Sequence, residues 1–214
     1  MTLRVFDIAA GKKAWDWKLP APITVITGGT KSPEYSPAMP DVAFSPDGSK
    51  LALAVRQTND DLLRVRVFDS ASGTLLREVV EPRDGPVASY TTSIIAFDSV
   101  GRIAVGDGRN AVVWNATDPA PKRLIGHEGT PHSAVFSRNG SRLFTLDYDR
   151  SGVNSGRLIR VWDLATGKDV IAIREPEASG PGMQSTFSES MWLDGDKLKL
   201  MTRDGILEFD GSPR

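Results

Sequence analysis

At 214 residues and 40% hydrophobic content the chain is long enough to bury a substantial core, and its net charge of -1 excludes the basic excess of a general polyanion binder. It has no cysteine, which excludes disulfides, thiolate metal sites and a cysteine nucleophile. No run approaches the roughly 18 apolar residues of a membrane helix, and the opening Met1-Thr2-Leu3-Arg4-Val5-Phe6-Asp7 reads as a strand, not as a secretory signal.

Taken in chain order, the elements are short strands. Apolar residues alternate or cluster, turn-forming residues separate them, and helical periodicity is almost missing. Residues 3–7 and 13–17 read as two strands joined at Ala10-Gly11-Lys12. A loop rich in Pro, Gly and Ser follows over 20–40. A four-strand unit is expected over 40–80. It opens on Val42-Ala43-Phe44-Ser45-Pro46-Asp47-Gly48-Ser49-Lys50-Leu51, where Asp-Gly supplies the positive φ of a tight turn between strands. Its third strand, Leu63-Arg64-Val65-Arg66-Val67-Phe68, alternates charged with apolar residues, which predicts one face in the core and one in water. A turn at Ala71-Ser72-Gly73 and an outer strand over 75–80 close the unit.

A second unit, 93–126, carries a degraded hairpin phrase at Ile95-Ala96-Phe97-Asp98-Ser99-Val100-Gly101-Arg102-Ile103 and ends its third strand at Trp114-Asn115. The third unit, 132–173, repeats the phrase almost intact from Ala134 through Phe136-Ser137-Arg138-Asn139-Gly140 to Leu143, and ends its third strand at Trp162-Asp163. The segment 186–210 supplies three more strands, with a weak copy at Met191-Trp192-Leu193-Asp194-Gly195-Asp196 and a closing Phe209-Asp210. The pairs of an aromatic and Asp or Asn end at positions 7, 69, 115, 163 and 210. A recurrence of about 47 residues with four strands per unit, here called a to d from the centre outward, reads as the blades of a propeller.

These phrases resemble the WD-repeat family of β-propellers. The best copy runs from Gly126-His127 through the hairpin at 136–140 to Trp162-Asp163, and the Ser-Pro-Asp-Gly hairpin is the style of bacterial members. The other units depart from the pattern: only one Gly-His and one Trp-Asp occur. The resemblance implies an all-β propeller of four-stranded antiparallel blades, about 4–5 of them, in one region spanning 1–214 and working in the cytoplasm. Propellers of this family most often have seven blades and roughly 300 residues. The chain is therefore expected to be the C-terminal part of a longer propeller, fused in its parent to a module such as a kinase; closure by its own first strands or by a second copy are the alternatives.

The resemblance also implies a buried hydrogen-bond network of His127, Thr145 and Trp162 with an Asp that is either Asp149 or Asp147. A catalytic His–Asp relay is the competing reading, but no nucleophile sits at a matched position. Asp147-Tyr148-Asp149-Arg150-Ser151-Gly152 has the first half of a calcium loop, yet Leu158 stands where the bidentate Glu belongs. His127 and His132 have no third partner for zinc. No P-loop, Rossmann fingerprint or nucleophile elbow occurs, so no metal and no cofactor is expected. The b–c and d–a loops of a propeller share one face. There the candidate partner-binding residues are Arg56, Asp61, Arg109, Tyr148, Arg150 and Arg203. The expected function is a non-catalytic scaffold binding a protein or peptide, with no nucleic acid and no membrane as partner. The alternative is an enzymatic, lactonase-like propeller with its site at the central channel.

Overall fold

The computed structural model describes residues 2–18, 41–57, 62–82, 94–107, 110–115, 120–127, 131–148, 157–174, 191–202 and 205–210. Among these residues the chain is all β, with seventeen strands. It divides into two compact units, 1–93 and 94–214.

The first unit holds two sheets. Strands β1 (Thr2–Asp7) and β2 (Lys12–Lys18) form an antiparallel pair. Strands β3 (Asp41–Phe44), β4 (Lys50–Gln57), β5 (Leu62–Asp69) and β6 (Leu75–Pro82) form a four-stranded antiparallel sheet in chain order. The second unit holds three sheets. These are β7 (Ile95–Phe97) to β10 (Lys122–Leu124) through β8 (Ile103–Asp107) and β9 (Asn110–Trp114), then β11 (Ser133–Phe136), β12 (Arg142–Tyr148), β13 (Arg157–Asp163) and β14 (Lys168–Arg174), then the three strands β15 (Met191–Asp194), β16 (Lys197–Thr202) and β17 (Gly205–Asp210).

The two recurring phrases become two recurring turns. In the a–b hairpin, Lys50 N donates to Ser45 Oγ at 2.9 Å and Ser49 N to Asp47 Oδ1 at 3.1 Å. The same bonds return as Arg142 N to Ser137 Oγ at 2.9 Å and Ser141 N to Asn139 Oδ1 at 3.0 Å. Gly48 and Gly140 take φ of 71° and 67°, which a side chain at Cβ would strain. In the c–d turn the acid of each aromatic–acid pair caps the chain. Asp7, Asp69 and Asp163 accept from Ala10 N, Ser72 N and Thr166 N at 2.8–2.9 Å. The pairing register slips by one residue at Val5/Phe6, Val67/Phe68 and Val161/Trp162, so a bulge recurs just before the aromatic.

Each unit stacks sheets face to face. In the first, Trp15, Leu3, Val5 and Trp17 cover Leu51, Leu53 and Phe68. Trp15 Nε1 also donates to Ser70 O at 2.8 Å. In the second, one layer joins Ala96, Ala104, Val113 and Leu124 to Phe136, Leu143 and Trp162. The next joins Leu146 and Ile159 to Met191, Leu198 and Leu200. The first strands β7, β11 and β15 approach one another, as the inner strands of neighbouring blades do. Arg102 ties two hairpins: its Nε donates to Asp98 Oδ2 at 2.5 Å and its Nη2 to Gly140 O, while its guanidinium lies 5.6 Å from the Phe136 ring centre.

One expectation needs correction. Alternation in strand c predicts a water-facing side, but Arg66 is buried, as is Arg160 in the matching place. A neighbouring sheet lies over each: Trp17 of β2 sits beside Arg66, and core layers pack on both faces of β13 around Arg160. The arginines stay charged by pairing outward to strand d: Arg66 with Glu78 at 2.5 Å, and Arg160 with Asp169 at 3.1 Å. Arg66 also lies 5.1 Å from the Trp17 ring centre.

Candidate functional site

The most concentrated polar chemistry among the described residues lies in the sheet β11–β14. Strand β12 places Leu143 opposite Trp162 and Thr145 opposite Arg160. The Trp162 indole reaches diagonally and donates from Nε1 to Thr145 Oγ1 at 2.8 Å. His127, just before β11, brings its Nε2 to the same oxygen at 2.8 Å. The imidazole stacks on Trp162 with ring centres 4.8 Å apart. Gly126 makes this possible: its φ is 143°, and a Cβ there would already touch Trp162 Cη2 at 3.5 Å.

Thr145 Oγ1 accepts from the indole N–H and is also the hydrogen-bond partner of His127 Nε2. Thr145 and Trp162 are 0% exposed and His127 is 6% exposed. A hydroxyl beside an imidazole resembles a nucleophile and its base. Here the oxygen is roofed by the indole and already bonded on two sides, so an incoming carbonyl has no path to it.

The acid expected in this network, Asp149, lies outside the described residues. The carboxylate that the structure does place here is Asp147, two residues from Thr145 on the same face of β12 and fully buried. Its Oδ2 lies 3.9 Å from Arg160 Nε. A carboxylate facing a guanidinium is a poor start for the calcium loop considered at 147–152, whose residues from Asp149 onward fall outside the described residues. Among the described residues no three His, Cys, Asp or Glu side chains gather as metal ligands.

The same positions in the other sheets are apolar. Register aligns Leu51, Ile103, Leu143 and Leu198, each opposite the aromatic of strand c. Thr145 then corresponds to Leu53, Val105 and Leu200. In the second sheet Trp114 keeps the indole, but with Val105 in place of the hydroxyl its buried Nε1 has no hydrogen-bond partner.

The candidate partner-binding residues fall at strand ends. Arg56 stands opposite Leu63 in β4, and Tyr148 opposite Arg157 in β12. Both lie five residues beyond the aligned Leu51 and Leu143, and Arg203 lies five beyond Leu198. The strand register thus puts Arg56 and Tyr148 at one step of strand b. The side chains of Arg56 and Tyr148 lie outside the described residues, as do Asp61, Arg109, Arg150 and Arg203 altogether. The buried Arg66 and Arg160 and the half-buried Arg102 were missed in the sequence. For the first two a signal was present: an Arg two residues before the strand c aromatic, with an acid in strand d.

Burial pushes the Asp41 carboxyl, on the innermost strand β3, up to about 6. In the hairpin turn the Ser45 hydroxyl, then the Ser49 hydroxyl and backbone, hold Asp47 down at about 2.

No family model matches the chain, and no curated protein matches it in sequence. In structure it is similar to a chain titled hydrazine synthase from Kuenenia stuttgartiensis, with a TM-score of 0.61 and 15% sequence identity. The match covers 99% of this chain and 65% of that one, so the chain spans about two-thirds of the length of the protein it resembles. At this identity the likeness shows the fold alone: an all-β propeller of four-stranded antiparallel blades. In all, 236 solved chains match its fold, and a fold so widely used does not name a function.

Proposed function

We propose that the chain is a WD-repeat-type propeller that serves as a non-catalytic scaffold, binding a protein or peptide through the connections that leave strand b and enter strand a. The observation that carries this reading is the burial of the His127–Thr145–Trp162 node, 6% exposed at most. This hydroxyl–imidazole pair serves the fold, holding the segment before β11 onto strands b and c. The Gly126-His127 and Trp162-Asp163 phrases support the WD-repeat kinship: the first meets the indole, and the acid of the second caps its turn. The strand register supports a presenting surface, because it repeats Arg56 and Tyr148 at one level on a rigid support. Such a protein works in solution; no helix among the described residues is long and apolar enough to cross a membrane.

The test compares the immobilised full chain with the triple variant R56E/Y148A/R203E, both checked for unchanged far-UV circular dichroism. Quantitative proteomics of the captured proteins should show a defined set retained by the parent and lost by the variant. Identical capture by both, or turnover of lactone or ester substrates by the parent that H127A abolishes, would overturn the reading.

A further inference from the structure

Two a–b turns share one plan and differ in one side-chain group. At 47–48 the turn is Asp-Gly and at 139–140 it is Asn-Gly, a dipeptide that occurs once in the sequence. Asn139 is exposed, and the donors to its side chain all end on Oδ1: Ser137 Oγ at 2.9 Å, Ser141 N at 3.0 Å and Ser141 Oγ at 2.8 Å. No described residue accepts from its Nδ2. Asp47 meets the matching donors, with Ser45 Oγ at 2.5 Å and Ser49 N at 3.1 Å on Oδ1 and Ser49 Oγ at 2.8 Å on Oδ2. They hold its carboxyl down at about 2, so a cradle of this kind stabilises a negative oxygen. It asks only for acceptors, and an amide leaves its donor half unused there.

Glycine after asparagine, having no Cβ, leaves the next backbone nitrogen unhindered for attack on the side-chain carbonyl. Gly140 N bonds to Asn139 Cγ, the Cγ–Nδ2 bond breaks, and the proton lost from Gly140 N leaves with Nδ2 as ammonia. Water then opens the cyclic imide. Addition at Cγ breaks the new bond to nitrogen and gives aspartate. Addition at the main-chain carbonyl carbon of 139 breaks the original peptide bond and gives an isoaspartyl link. In the closed turn the nucleophile is occupied, because Gly140 N donates to Ser137 O at 2.8 Å. An isoaspartyl link adds a methylene to the main chain between residues tied across the turn, where Ser137 N donates to Arg142 O at 2.9 Å and Arg142 N to Ser137 Oγ at 2.9 Å. Gly140 O also holds Arg102 of the adjacent sheet. The aspartyl product lengthens nothing.

We propose that Asn139 is a site of spontaneous deamidation, gated by opening of the β11–β12 turn, and that the folded chain accepts the aspartyl product as it accepts Asp47, while the isoaspartyl product does not re-form the turn. No residue of the partner-binding connections is involved, so either reading stands or falls alone.

The full chain is aged in mildly alkaline buffer with and without urea, and conversion is followed by peptide mapping with mass spectrometry that separates aspartyl from isoaspartyl forms. In the folded chain conversion should occur at 139 and not at Asn110 or Asn115, about tenfold slower than in urea. Ser141→Ala removes two contacts to the Asn139 carbonyl or weakens them, and should speed the conversion several-fold. Asn139→Asp should melt at or above the parent's temperature at pH 7, and the opposite exchange, Asp47→Asn, below it. Equal rates with and without urea, no conversion at 139 in the folded chain, or an Asn139→Asp chain that melts well below the parent would each overturn the proposal.

Discussion

Replacing Thr145 by Val tests the polar node with almost no change in shape. The substitution exchanges a hydroxyl for a methyl at a fully buried position, so no cavity opens. It removes the acceptor of the Trp162 indole and the partner of His127 Nε2, both held at 2.8 Å. Each buried polar group left unpaired costs about 1–3 kcal/mol, and the added methyl returns roughly 0.8 kcal/mol of apolar transfer. The net loss should be about 1–5 kcal/mol. With a urea slope of about 2 kcal/mol per molar, the midpoint should fall by roughly 0.5–2.5 M at unchanged slope. Urea titration followed by circular dichroism measures this directly. Thr145→Ser keeps the hydroxyl and should lose well under half as much. A Thr145→Val chain within about 0.5 kcal/mol of the parent, or a Ser variant as unstable as the Val variant, would refute the assignment of the two hydrogen bonds.

The reverse exchange, Val105→Thr, offers the unpartnered Trp114 Nε1 an acceptor, and in the same titration it should cost no more than about 1 kcal/mol. Gly73→Ala should destabilise by about 2–4 kcal/mol: φ there is +73° and a Cβ would sit 2.7 Å from Trp15 Cδ2, so a shift in tryptophan fluorescence should accompany the loss. Arg102→Met strands the buried Asp98 carboxylate and should cost about 2–4 kcal/mol, while the double variant with Asp98→Asn should recover part of it in a double-mutant cycle. Asp41 titrates near 6 in the folded chain against 3.8 when free, so the folded state binds more protons between these values. Its contribution therefore favours folding at low pH and declines as pH rises from about 4 to 6. Asp41→Asn should remove that decline, so the melting temperature at pH 7 should rise relative to that at pH 4.

The sequence alone determined the strands, their grouping and the turns between them, because those depend on neighbours a few residues apart. Asp-Gly and Asn-Gly set the hairpins at 47–48 and 139–140 through local φ, and the acids at 7, 69 and 163 cap turns three residues ahead. The resemblance to WD-repeat blades, not local reasoning, brought His127, Thr145 and Trp162 onto one list. Only tertiary structure decided which faces are dry. Arg66 and Arg160 look solvent-facing by alternation, and are buried because a second sheet lies over them. Asp147 faces Arg160, a pairing that strand register sets and spacing along the chain does not show. Phe44 and Phe136 sit in nearly identical phrases, yet one is exposed and the other covered. A side chain's burial depends on what stacks upon it, and no local pattern records the sheet next door.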